Sequence, residues 1–233
     1  MKRKYLLWLS LALNGIGLMA AGYVIYRLGG WNFFRYRLEQ RGVAAEYEHR
    51  KSLYEIMQSD TASIVFLGNS LTAYCDWAEL LGNPKIKNRG IPGDRINGVL
   101  DRLEDIIRLE PDQLFLMIGI NDLLFDDPVS VSNKYRKLVD RLQKEIPGCQ
   151  LHLKSVLPVN NQVRNTFINN EDVQVVNEAI EQLARDRSIP FIDLRPLLCD
   201  PSGQLNAAYT EDGVHLNGPA YKIWAAEVEK YLR

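Results

Sequence analysis

The chain is 233 residues long, 46% apolar and 24% charged, the proportions of a folded globular protein rather than a disordered one. Its formal charge of −1 hides an asymmetry: residues 1–50 hold eight Lys/Arg against three Asp/Glu, and the remainder holds 20 against 26. An acidic body argues against nucleic acid as the main partner, because phosphate binding needs clustered Lys and Arg.

The basic start belongs to an apolar segment. Lys2-Arg3-Lys4 precedes an uncharged run of 22 residues from Tyr5 to Tyr26, closed by Arg27. As a helix, that run is long enough to cross a hydrocarbon core of roughly 30 Å. Tyr5, Trp8, Tyr23 and Tyr26 lie near its ends, where amphipathic rings favour the interface. A cleaved signal peptide is the rival reading, with secretion as its consequence. Its apolar core is usually only about 7–15 residues, and the small-residue run Ala20-Ala21-Gly22 lies inside the span. A signal anchor over residues 1–28 is therefore expected, giving a single-pass protein. Arg27, Arg35 and Arg37 oppose the N-terminal cluster in setting orientation, but that cluster is tighter and inserts first, which places the rest of the chain outside the cytoplasm.

Gly29-Gly30 ends this segment, and residues 29–59 read as a linker and stalk helix, or as the first helix of the domain, up to the break at Ser59-Asp60-Thr61. From residue 60 to 233 strands and helices alternate. Ser63–Leu67 is a short continuous apolar run, as expected of a strand buried on both faces. A helix over 72–81, a short strand over 85–88 and an amphipathic helix over 96–107 follow. Gln113–Ile118 is the clearest strand; then come a helix over 131–146, a strand over 150–156, a helix over 171–187, a strand over 190–194 and a closing helix from Gly218-Pro219. This rhythm predicts an α/β domain in three α/β/α layers around a five-stranded parallel sheet. Three cysteines, Cys75, Cys149 and Cys199, resemble neither a disulfide framework nor a paired metal motif.

Four stretches follow the strand ends or the last loop: Gly68-Asn69-Ser70-Leu71-Thr72, Gly93-Asp94, Gly119-Ile120-Asn121-Asp122 and Asp212-Gly213-Val214-His215. In open parallel sheets ligands sit beyond the carboxyl ends of the strands, so these pieces share one edge. A serine hydroxyl is a weak nucleophile and needs a base oriented by a third group. Ser70 is the candidate nucleophile, although serine at a strand-to-helix turn is often just an N-cap. Of three histidines, His49 lies in the stalk region and His152 inside a strand, leaving His215 as the candidate base on a loop. Asp212 can turn back to fix its tautomer, although Asp-Gly is also a common turn dipeptide. A developing oxyanion needs preorganised donors, and the Gly93 N–H, the Asn121 amide and the Ser70 N–H are the candidates.

These blocks resemble, in order and spacing, those of the SGNH hydrolases, the GDSL-type esterases and lipases. Asn88-Arg89-Gly90-Ile91-Pro92-Gly93-Asp94 is similar to the block with an oxyanion glycine, and Gly119-Ile120-Asn121-Asp122 to the Gly-x-Asn-Asp block with the oxyanion asparagine. Asp212–Leu216 with Gly218 and Tyr221 is similar to the closing block with the acid and base. The likeness extends to platelet-activating-factor acetylhydrolase catalytic subunits and lysophospholipase-like members. It implies a flavodoxin-like fold, a Ser70-His215-Asp212 triad, and neither metal nor cofactor. One departure is Gly68-Asn69-Ser70-Leu71 where the family has Gly-Asp-Ser-Leu; Asn69 is then a candidate substrate contact shaping the turn.

The expected activity is hydrolysis of carboxylic esters. The long loop Pro158–Asn170 follows the fourth strand and is expected to overhang the site, with Asn160 and Asn161 as substrate contacts. Its polarity suits a small acyl group on a glycan, while a membrane anchor suits a lysophospholipid. An O-acyltransferase using the same acyl-enzyme is the nearest alternative, and an inactive membrane-tethered binding protein a further one. A dinucleotide site is disfavoured because no Gly-x-Gly-x-x-Gly follows the first strand, and the missing Gly-x-Ser-x-Gly disfavours an α/β-hydrolase elbow. Oligomeric state is not encoded in any pattern here.

Overall fold

The computed structural model describes residues 2–27, 45–57 and 64–232, in two compact units, Met1–Ala45 and Glu46–Arg233. The expected breaks at Gly29-Gly30 and Ser59-Asp60-Thr61 lie outside the described residues. In the first unit, helix α1 spans Lys2–Arg27. Its stretch Lys4–Val24 has a mean hydropathy of 1.5 and is long and apolar enough to cross a membrane.

Helix α2, residues 45–56, lies in the second unit from Glu46 onward. The strands are β1 (Ile64–Gly68), β2 (Ile86–Gly90), β3 (Gln113–Met117), β4 (Gln150–Lys154) and β5 (Phe191–Ile192). They form one parallel sheet in the order β2-β1-β3-β4-β5, the flavodoxin-like order, whose switch point lies between β1 and β3. Gly68 pairs with Gly90 on one side and Met117 on the other, so three strands end level and feed their loops to one edge.

Strand alternation explains the three layers. Val65, Leu67, Leu114, Leu116, Leu151 and Leu153 face one core, completed by helices α5 (Ile96–Asp101), α6 (Leu103–Arg108), α7 (Pro128–Glu145) and α8 (Asn170–Arg187). Ile64, Phe66, Phe115, Met117 and Ile192 face the other, against α3 (Ser70–Ala73), α4 (Trp77–Leu80), α9 (Arg195–Leu198) and α10 (Gly218–Glu229). His152 in β4 is buried and stacks on Phe115 with ring centroids 4.3 Å apart, a structural place.

Two expectations need correction. The stretch 72–81 holds two four-residue helices, α3 and α4, because the chain must turn where Trp77 enters the core and donates Nε1–H to the Thr72 carbonyl. The helix expected over 96–107 breaks at Arg102, whose guanidinium turns inward to a buried carboxylate. Residues 45–56, read above as a stalk helix or as the first helix of the domain, pack on the domain: the Tyr47 and Tyr54 hydroxyls donate to the Gly98 and Gly90 carbonyls.

Candidate active site

Ser70 begins α3 directly after β1. The N-cap role that serine often takes belongs to Asn69, whose Oδ1 accepts the Leu71 N–H at 3.0 Å, so the Ser70 hydroxyl is not used as a cap. Asn69 is 1% exposed, and its Nδ2 is buried without a partner among the described residues. Its side chain shapes the turn from beneath, a correction to its expected substrate contact. A four-residue helix has no stability of its own. Here side chains hold it: Asn88 Nδ2 donates to the Thr72, Ala73 and Cys75 carbonyls at 2.9–3.3 Å, and the Tyr221 hydroxyl donates to the Leu71 carbonyl at 2.8 Å.

Asp212 and His215 lie on the loop before α10. His215 Nε2 is 3.0 Å from Ser70 Oγ, and Nδ1 is 2.6 Å from Asp212 Oδ2. An ionised carboxylate only accepts, so Nδ1 carries the proton and Nε2 is left to accept the serine's. The second Asp212 oxygen accepts the Val214 and His215 N–H groups at 2.9 and 2.8 Å. Partial burial alone would raise the Asp212 pKa, but these bonds, led by the His215 ring, hold it below the usual carboxylate value. Asp212 is thus an ionised, fixed partner for the imidazole. The Tyr74 ring stands 5.1 Å from that of His215 and is half exposed at the rim.

Gly93 sits in the left-handed region at φ 72°, which glycine adopts without strain. Neither its N–H nor that of Ser70 finds an acceptor among the described residues. Asn121 Nδ2 donates one hydrogen to the Asp94 carbonyl at 2.9 Å, tying the Asn121 segment to the Gly93 loop and leaving its second hydrogen available. Behind the loop, Asp94 and Arg102 form a buried pair at 2.9 Å, and Arg102 Nη2 also donates to the Arg89 carbonyl. Asp122 accepts the Ile96 N–H, and burial pushes its carboxyl up to about 7.

The loop Pro158–Asn170 does not present its asparagines as expected. Asn160 is buried, its Nδ2 donating to the Leu205 carbonyl and its backbone N–H to the Gly213 carbonyl at 2.7 Å. Asn161 donates to the Ile168 carbonyl and accepts from Thr166. The buried Asn160 side chain is taken up by Leu205, Gln162 and Val163, which corrects its assignment as a substrate contact, while the exposed Asn161 closes the loop on itself. Residue patterns also gave no role to Asn88, Arg102, Tyr47, Tyr54 or Tyr74, whose partners are distant in sequence. No group of His, Cys, Asp and Glu suited to a metal ion occurs among the described residues.

The model of the GDSL-like lipase/acylhydrolase family matches residues 63–223. The chain belongs to that family. This GDSL-like chain is similar to a solved Streptococcus pneumonia protein described provisionally as a platelet activating factor: 28% identity, TM-score 0.76, covering 86% of this chain and 99% of that one. It is 26% identical over 219 residues to a multidomain esterase of Ruminococcus flavefaciens, covering 82% of this chain and 27% of that protein. It is 24% identical over 177 residues to an N-acylneuraminate cytidylyltransferase of Escherichia coli, covering 74% of this chain and 41% of that protein. The chain thus spans less than half the length of these curated relatives. The family is named for lipases and acylhydrolases, and the Ruminococcus flavefaciens relative is named an esterase.

Proposed function

We propose that this hydrolase cleaves a short acyl group from a hydrophilic alcohol through a Ser70–His215–Asp212 triad. The observation that carries the reading is the unbroken relay from Ser70 Oγ through both ring nitrogens of His215 to an ionised Asp212. His215 Nε2 takes the serine proton as Oγ attacks the ester carbonyl carbon, and Asp212 stabilises the imidazolium. The oxyanion forms against the Ser70 and Gly93 N–H groups and the Asn121 amide, each donor worth roughly 2.7–4 kcal/mol. His215 then returns the proton to the leaving alcohol, and water releases the acyl group by the reverse steps.

The half-exposed Tyr74 and the exposed Arg95, stacked on Phe125 at 4.8 Å, support a polar alcohol rather than a fatty chain. The N-acylneuraminate enzyme among the relatives, named for a sugar acid, supports a glycan alcohol in the same sense. The apolar α1 supports action at a membrane surface.

The test is turnover of p-nitrophenyl esters from acetate to palmitate by wild type and Ser70→Ala. Short-chain turnover that Ser70→Ala abolishes is the expected result. Undiminished turnover by folded Ser70→Ala would remove the triad assignment. Preference for long chains would replace the glycan by a lipid, and new esters formed from added alcohols would identify a transferase.

A further inference from the structure

We propose that α2, which precedes the family-matched residues 63–223, is a working part of the esterase: Tyr47 and Tyr54 are positioning residues that brace the two ends of the oxyanion segment, at Gly98 of α5 and at Gly90, the last residue of β2. The proposal rests on the assignment of Ser70, Gly93 and Asn121 above.

The two tyrosines are seven residues apart, two helical turns, and so share a face. The Tyr54 hydroxyl donates to the Gly90 carbonyl at 3.0 Å and the Tyr47 hydroxyl to the Gly98 carbonyl at 2.9 Å. Those carbonyls bracket Gly93 on either side. At Gly90 the loop already presses on the nucleophile helix, since a Cβ there would lie 2.4 Å from the Ala73 nitrogen. At Gly98 the Tyr47 ring is in close contact, a Cβ meeting its Cε2 at 3.1 Å. Neither contact leaves the loop room to move inward.

The helix is itself fixed, so it can serve as a reference. Arg108 Nη2 donates to the Tyr54 carbonyl at 3.2 Å, and the Arg89 guanidinium lies 4.6 Å above the Tyr54 ring. Arg89 and Arg108 both pair with the buried Asp105. Between the two braces the loop carries Gly93 and the Asp94 carbonyl that receives Asn121 Nδ2. A shift of this loop therefore displaces two oxyanion donors together. Such donors act only when about 2.7–3.1 Å from the developing charge, so a small displacement affects turnover more than binding.

The experiment compares full-length Tyr47→Phe/Tyr54→Phe with wild type and Ser70→Ala on p-nitrophenyl acetate. Titration with a fluorophosphonate counts competent sites, so lost folding does not register as lost kcat. Removing only the hydroxyls should lower kcat per titrated site by about fivefold or more with KM within about twofold, a fraction of the 10²–10³ from deleting a donor outright. A smaller loss, or one carried by KM, overturns the brace. If the double variant does not fold, Tyr47→Phe alone is read, with at least about a twofold kcat loss expected and anything less overturning the proposal. Ser70→Ala separates the two readings. An active Ser70→Ala removes the serine mechanism, and with it the brace; an inactive one beside full-rate Phe variants removes the brace alone.

Discussion

Two ionisable residues show how environment overrides residue type. Lys154 is fully buried at the end of β4, with no hydrogen-bond partner for Nζ among the described residues. It lies 4.7 Å from the Trp224 ring and 4.8 Å from that of Phe66, with Trp77 and Phe115 at 5.9 Å. Burial lowers its pKa from 10.5 to about 7, while the rings offer the ammonium about 0.5–2 kcal/mol each. With the folded value below the unfolded one, the folded state binds fewer protons between about pH 7 and 10.5. Stability therefore rises with pH across that window, and the penalty is full below it. Lys154→Met should stabilise the protein by about 2 kcal/mol at pH 6.5 and by less near pH 10, less than the full gap because the rings' attraction is lost too. Urea unfolding at both pH values checks this; destabilisation at both would mean the rings hold the ammonium firmly. Asp212 is the opposite case, a carboxylate kept ionised by the bonds it accepts. Asp212→Asn should lower kcat by up to about 10⁴-fold, by presenting the wrong tautomer, with little change in KM. An unchanged rate in steady-state kinetics would exclude the aspartate from the relay.

At the scale of elements, the shortest helices carry the candidate site and depend most on distant partners. The longer elements were legible because their signals are local: β3 is continuously apolar from Leu114 to Met117, and α7 has Asp127 as its cap and Pro128 in its first turn. The pieces α3, α4, α5 and α6 were not legible as four helices, since side chains from other elements define their ends. Arg102 reads as one position of an amphipathic helix until the fold brings Asp94 and the Arg89 carbonyl to its guanidinium. The candidate site was legible as residue types at strand ends. Its supports were not, because a tyrosine in α2 gives no sequence sign of a carbonyl 36 residues away. Nor could loop polarity tell a substrate contact from Asn160, whose amide closes onto Leu205. Asn88 is the sharpest instance, donating to three carbonyls around α3 and accepting the Gly90 N–H at 2.8 Å. Asn88→Ala should cost about 2–3 kcal/mol, since buried polar groups lose their partners, and should also lower kcat. Calorimetry with kinetics on titrated sites checks both; a loss of stability with kcat intact would make Asn88 purely structural.

At the scale of the chain, a basic, apolar segment precedes an acidic domain of the GDSL-like family. Apolar on all sides and with its candidate span unburied, α1 has no partner face within its own unit. We propose that it anchors the protein in a membrane, with Lys2-Arg3-Lys4 cytoplasmic and the esterase on the far side. Two truncations then separate anchoring from catalysis. A chain beginning at Gly42 loses α1 but keeps Tyr47 and Tyr54. It should leave the membrane fraction after alkaline carbonate extraction and turn over p-nitrophenyl acetate at close to the full-length kcat. A chain beginning at residue 60 keeps the whole family-matched segment, yet loses both tyrosine braces and uncovers the face of Arg89 that α2 occupies. Its kcat per titrated site should fall with its stability. If the shorter chain matched the longer in rate, α2 would be only a connector. If the Gly42 chain stayed with the membrane, attachment would reside in the hydrolase domain instead of α1. The expected pair of results would make residues 45–56 the piece by which a tethered enzyme keeps its oxyanion loop in place, independently of the tether.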